Sequence, residues 1–156
     1  MTVTLHTIGY QGRDPESFVA ALIAAGIATL IDVRAGPHSR KPGFSKSQLA
    51  QHLQEAGIAY LHLVALGNPP AGREAAKAGR IEDYRRAMGG QLDSEAGQGD
   101  LRNAAGCAAA SPSCLMCFEA DAAQCHRSLV AARLADQHGF QINHIPGTER
   151  QTALPL

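Results

Sequence analysis

The chain has 156 residues, and its 14 basic side chains balance 14 acidic ones to a formal net charge of zero. That length fits one domain, which buries roughly 70% of the surface its unfolded chain exposes and needs no covalent staples. The balance argues against nucleic-acid binding by bulk charge, and no apolar run approaches the roughly 18 residues of a membrane-spanning helix.

Leu5 to Tyr10 reads as a first strand. Asp14 then offers an N-cap with Pro15 at the first helical position. Phe18, Val19, Leu22 and Ile23 follow at helical spacing, and Gly26 serves as a C-cap. Thr29 to Val33 is a nearly continuous apolar run interrupted by Asp32, as in a central parallel strand buried on both faces. After a Gly/Pro-rich loop, Ser45 and Gln48 form a capping-box pattern for a helix that presents Leu49 and Leu53 and ends at Gly57. Ile58 to Leu63 is the third strand, and Val64 to Arg73 reads as irregular. Ala75 to Met88 reads as a helix weakened by Gly79, and residues 89–100, polar and glycine-rich, as a mobile loop. Leu101 to Gly106 reads as a helical turn.

Ser113 to Phe118 is the fourth strand. Cys125 to His138 is a helix facing the core with Leu129, Val130 and Leu134, and Gln141 to Ile145 is a last short strand. The expectation is a single three-layer α/β domain over residues 1–147, with a mostly parallel sheet of about five strands and a loosely held tail at 148–156. The N-terminus, Met1-Thr2-Val3-Thr4-Leu5-His6, lacks the charged region and apolar core of a signal peptide. The expected setting is therefore the cytoplasm, with the four cysteines reduced and no membrane contact.

Right-handed crossovers place the loops that follow the strands on one edge of the sheet. Those loops begin at Gln11, Arg34, Val64 and Glu119. The densest chemistry lies between Leu115 and Arg127, where Cys117, Glu119, Cys125, His126 and Arg127 gather at one strand-to-helix corner, the usual place for ligands in open α/β sheets. From Val33 to Gln54 there is no acidic residue, while Arg34, His38, Arg40, Lys41, Lys46 and His52 all fall there. Arg13 and Arg127 add to these cations, among which the arginines suit bidentate contacts to carboxylate or phosphate, and helix starts near Asp14, Ser45 and Cys125 add free N–H groups. The alternative is a solvated positive loop. Neither GxxxxGK[ST] nor GxGxxG is present.

Asp32 alternates with Arg34 along its strand. It is either a structural partner of Arg34 or Arg13, or a general base. Glu119 raises the same question, and two carboxylates in unlike environments permit acid–base chemistry. Cys125, at a helix start beside His126 and Arg127, is either a nucleophile of lowered pKa or a small buried filler. His126 is either an acid–base group or a structural cap. A zinc site from Cys114, Cys117, Cys125 and His126 is not expected, because strand residues three apart face opposite ways and neighbours on a helix diverge. Tyr10, Phe44 and Tyr60 are too scattered for a base-stacking platform.

On Thr7-Ile8-Gly9-Tyr10 with Gly12-Arg13, Ile31-Asp32-Val33-Arg34 followed by Pro37-His38-Ser39-Arg40-Lys41-Pro42-Gly43-Phe44, and Leu115-Met116-Cys117-Phe118-Glu119 with Cys125-His126-Arg127, the chain resembles the bacterial and archaeal family known as domain of unknown function 488. Ala35-Gly36 is a mild departure. The resemblance implies a small cytoplasmic α/β domain whose signature residues are Gly9, Tyr10, Arg13, Asp32, Arg34, Ser39, Phe44, Cys117, Glu119, Cys125, His126 and Arg127, and it implies no settled activity. Ile31-Asp32-Val33-Arg34 also looks like a rhodanese strand end, but Cys125-His126-Arg127 is too short for that family's cysteine loop.

Two functional expectations follow. In the first, an anionic, phosphate-bearing or nucleotide-like small molecule is held by Tyr10, Arg13, Arg34, Ser39, Arg40 and Arg127, with Asp32, Glu119, Cys125 and His126 as the candidate catalytic groups. In the second, the chain is a non-catalytic nucleic-acid-binding or regulatory module built on the acid-free stretch. No cofactor is named by the pattern.

Overall fold

The computed structural model describes residues 2–36 and 41–147. Among the described residues five short segments form strands: β1 (Thr4–Gly9), β2 (Thr29–Asp32), β3 (Ala59–His62), β4 (Ser113–Cys117) and β5 (Gln141–His144). They form one sheet in the order β3-β2-β4-β1-β5, with every pairing parallel. Six α-helices of the described residues connect them: α1 (Pro15–Ala24), α2 (Lys46–Glu55), α3 (Pro70–Lys77), α4 (Ile81–Asp93), α5 (Glu95–Ala110) and α6 (Arg127–His138).

The period-2 alternation of a strand divides the core. Cys114 and Met116 of β4 join Ile8 and Leu30 under Phe18 and Leu22 of α1 and Leu49 and Leu53 of α2. Leu115 and Cys117 join Leu5 and Ile31 under Met88, Leu92, Leu101, Val130 and Leu134 of α4, α5 and α6. The result is the expected three-layer α/β domain. Among the described residues no helix is long and apolar enough to cross a membrane.

Local signals explain most boundaries. Asp14 accepts from Ser17 N at 2.7 Å while Asp14 N donates to Ser17 Oγ, and Pro15 opens α1. Such a cap contributes about 1 kcal/mol. Ser45 is the N-cap of α2, but its hydroxyl donates to Gln48 Oε1 instead of accepting from the helix backbone.

Three expectations are corrected. The helix expected over 75–88 is split, because Gly79 adopts a φ of 75° and turns the chain between α3 and α4. Pro70 starts α3 inside the stretch read as irregular. The mobile loop expected at 89–100 is the end of α4 and the start of α5, separated by Ser94. Ser94 ends α4 and caps α5, its Oγ accepting from Gly97 N at 3.0 Å. A Cβ on Gly97 would overlap the carbonyl of Gln91, so that glycine serves close helix packing. The 148–156 tail lies outside the described residues.

The topology creates a crevice. β1 and β4 are neighbours, yet α1 leaves β1 across one face toward β2 while α6 leaves β4 across the other toward β5. Connections that diverge from adjacent strand ends leave a gap at their carboxyl edge.

Candidate functional site

The gap is framed by two strand ends held unusually close. A Cβ on Gly9 would overlap the carbonyl of Glu119, so glycine is required where the end of β1 passes the loop after β4. Beyond the strands the pairing continues, with Tyr10 N donating to Cys117 O at 3.1 Å and Gln11 N to Phe118 O at 2.8 Å. Above this floor opens a cleft of about 640 Å³, lined by Tyr10, Arg34, Cys117, Phe118, Glu119 and His126, with Asn68, Arg73 and Lys77 on the α3 side. Phe118 is 43% exposed and meets buried Tyr10 edge-on at 5.3 Å between ring centroids.

Asp32 and Arg34 lie beneath the cleft as a buried ion pair, 0% and 6% exposed. Arg34 Nε and Nη2 donate to the two carboxylate oxygens at 2.9 and 2.8 Å, and Arg34 N donates to Oδ1 at 3.0 Å. Tyr60 donates its hydroxyl to Asp32 Oδ2 at 2.6 Å, and Arg34 Nη1 reaches Phe44 O at 2.6 Å. Burial alone would lower the Arg34 pKa, but the hydrogen bond and charge of Asp32 outweigh it and the net direction is upward. Burial, with Asp32 beside it, also pushes the Tyr60 hydroxyl up. Asp32 was a candidate acid–base group. With both oxygens occupied and no exposure, it braces the loop after β2.

Two of the other expected anion anchors, Arg127 and Arg13, are also committed inward. Arg127 is fully buried. Its Nε donates to Thr7 Oγ1 at 3.0 Å, its Nη1 to Glu119 O at 2.5 Å and to Cys117 Sγ at 3.4 Å, and its Nη2 to Ala120 O at 3.3 Å. It fastens the loop after β4 to β1. Arg13 is 7% exposed, donates to Pro146 O, and lies outside the lining of the cleft. Ser39 and Arg40 lie outside the described residues.

Cys125, expected to open the last helix, is not helical. It has φ −128° and ψ 144° after a 3₁₀ turn at Ala122–Gln124, and α6 begins two residues later. That extended backbone turns its buried sulfur onto Cys117, and the two are joined as a disulfide with Cα atoms 7.3 Å apart. Cys114, on the opposite face of β4, stays a free, fully buried thiol, and burial pushes its pKa up.

His126 does not diverge from Cys125 either. Its Nε2 lies 2.6 Å from Val33 O. A carbonyl only accepts, so Nε2 carries the proton and the neutral ring presents a bare Nδ1. That nitrogen lies 3.9 Å from Cys125 Sγ. Burial lowers the His126 pKa, against the opposing pull of the Val33 carbonyl and the Glu119 charge. Glu119 Oε2 in turn lies 3.8 Å from Cys117 Sγ.

The fold thus brings Tyr10, Arg34, Glu119 and His126 to one cleft, with Cys125 beneath it. It turns Asp32, Arg13 and Arg127 inward. Asn68, Arg73 and Lys77 were missed because they sit in or beside a stretch read as irregular. The available signal was Pro69-Pro70, since a proline at the first helical position starts α3 there.

No curated protein and no solved structure matches the chain. A family model described as "Domain of unknown function DUF488" matches residues 14–134, a span that runs from the cap of α1 into α6 and takes in β2, β3, β4 and the Cys117–Arg127 corner. The chain belongs to the DUF488 family.

Proposed function

We propose that the chain binds a small anionic, phosphate-bearing ligand in the cleft at the carboxyl edge of the sheet. The observation that carries this reading is the pairing of two exposed cations, Arg73 and Lys77 of α3, with exposed Phe118 across one cleft of about 640 Å³. That volume lies within the range of small-molecule sites. Arg73 Nη1 donates to Asn68 O at 2.9 Å, which leaves its other donors for an anion. Phe118 offers an apolar face for a planar group, as a nucleotide-like ligand would carry. Glu119 is the carboxylate lining the cleft, so proton exchange, if the ligand is a substrate, falls to Glu119 and not to Asp32.

Titration calorimetry with adenosine monophosphate and with inorganic phosphate tests the reading. Binding of adenosine monophosphate should weaken with salt and fall at least tenfold in R73Q/K77Q, while the thermal midpoint is unchanged. F118A should weaken the nucleotide and leave phosphate unaffected. Equal affinity in wild type and R73Q/K77Q, or no binding of either probe, overturns it.

A further inference from the structure

We propose that Cys117, Cys125 and His126 form a binding site for a thiophilic divalent cation of the zinc type when the two sulfurs are reduced. The inference goes beyond ligand binding in the cleft and stands without it.

Three donor atoms converge. The sulfurs of Cys117 and Cys125 and a ring nitrogen of His126 all lie within 4.8 Å of one another. Zinc–sulfur bonds of about 2.3 Å and zinc–nitrogen bonds of about 2.0 Å place ligand atoms of a tetrahedral shell roughly 3.5–3.8 Å apart. Cys125 Sγ and His126 Nδ1, at 3.9 Å, already stand near that spacing. The Cα atoms of the two cysteines, 7.3 Å apart, exceed the span of about 4.4–6.8 Å usual for a disulfide. A sulfur–metal–sulfur bridge fits that separation better.

The surroundings match what such a ligand set needs. His126 donates Nε2–H to Val33 O at 2.6 Å, the backbone contact that fixes tautomer and ring orientation in metal-bound imidazoles. The nitrogen left bare is the one facing the sulfur. A thiolate at Cys117 would accept from Arg127 Nη1, now 3.4 Å from that sulfur. Cys125 stands before the N-terminus of the 12-residue helix α6, where the dipole favours negative charge. Two thiolates and a neutral imidazole leave a fourth position. Cys117, Glu119 and His126 line the cleft, so that position opens toward bound ligand beside the Glu119 carboxylate, as in metal centres that keep a site for water or substrate.

The disulfide and the metal exclude one another. A thiol or phosphine reductant supplies two electrons, and with two protons from water the S–S bond becomes two thiols. The incoming cation displaces those two protons and takes both thiolates.

The full chain, reduced with a phosphine under argon and dialysed against zinc or cobalt(II), is the test. Elemental analysis should find one ion per chain, and the cobalt form should show thiolate charge-transfer absorption with tetrahedral d–d bands. C117S and C125S should abolish these bands, H126Q should weaken affinity about tenfold or more, and C107S/C114S should retain wild-type loading. Bound zinc should also slow alkylation of Cys117 and Cys125, mapped by mass spectrometry in the wild-type chain, and leave Cys107 unchanged; this arm needs no variant to fold. Reduced wild-type protein that retains no ion, or loading and alkylation indifferent to Cys117 and Cys125, overturns the proposal. Neither result bears on adenosine monophosphate binding, which is read separately.

Discussion

Asp32→Ala distinguishes a brace from a catalytic group. The substitution removes the acceptor for Arg34 N, Nε and Nη2 and for the Tyr60 hydroxyl, and leaves a 6%-exposed guanidinium without its counter-charge. Removing one partner of a buried ion pair costs about 3–5 kcal/mol. At roughly 2–4 °C per kcal/mol for a chain of this size, the thermal midpoint should fall by about 6–20 °C. Y60F loses one hydrogen bond to a charged acceptor and should cost about 1.5–3 kcal/mol. D32N keeps the shape and one oxygen but not the charge, and should fall between the two. Urea unfolding followed by circular dichroism, with the slope checked for constancy, measures all three. If D32A unfolds within about 1 kcal/mol of wild type, below the range for a broken buried pair, the bracing argument is wrong. Asp32 would then have to be kept for what it does to a ligand.

Three further outcomes follow from the same geometry. Gly9→Ala should lower the unfolding midpoint and weaken adenosine monophosphate binding together, since the added Cβ meets the Glu119 carbonyl; an unchanged melting curve would show the two strand ends can part freely. Arg127→Lys should cost about 2 kcal/mol or more, because one ammonium cannot serve Thr7, Glu119 O and Ala120 O at once, and a neutral result in urea titration would refute the fork. Stability should fall as the pH drops below 6.5: burial, then the Arg127 charge, lowers the His144 pKa from that value, and burial lowers that of His6, so the unfolded chain binds protons the folded one refuses. The contribution is complete above 6.5 and declines below it, so urea midpoints should decrease from about pH 7.5 to about pH 5 and H144Q should flatten the slope; a flat wild-type profile would contradict it.

The layer order was legible wherever a local pattern and a burial pattern coincide. The apolar run around Asp32 and the cap at Asp14–Pro15 each specify their element without reference to distant residues. The region from Pro70 to Ala110 was not legible in the same way. Gly97 looks like a loop residue because its reason for being glycine is the Gln91 carbonyl across the helix corner. At the site, residue types pointed to the right corner but not to which way each side chain turns. Nothing in the spacing of Cys117 and Cys125 tells that Cys125 is extended, and its pairing with Cys117 depends on that single backbone conformation.

The division of labour among the cations has a physical cause. Arg34 and Arg127 sit where strand ends expose backbone carbonyls in a desolvated floor, and a forked donor satisfies several such acceptors at once. Arg127 also starts a relay. Its Nε–H goes to Thr7 Oγ1, which in turn shares a hydrogen bond with His144 Nδ1, 2.6 Å away. One guanidinium thereby ties β1, the loop after β4 and the end of β5 together. Charges spent in this way fix the shape of the crevice. In the proposed reading, recognition falls to groups outside the floor, the cations of α3 and the exposed ring of Phe118. Substitutions in the floor should therefore change stability first, and those on α3 affinity alone.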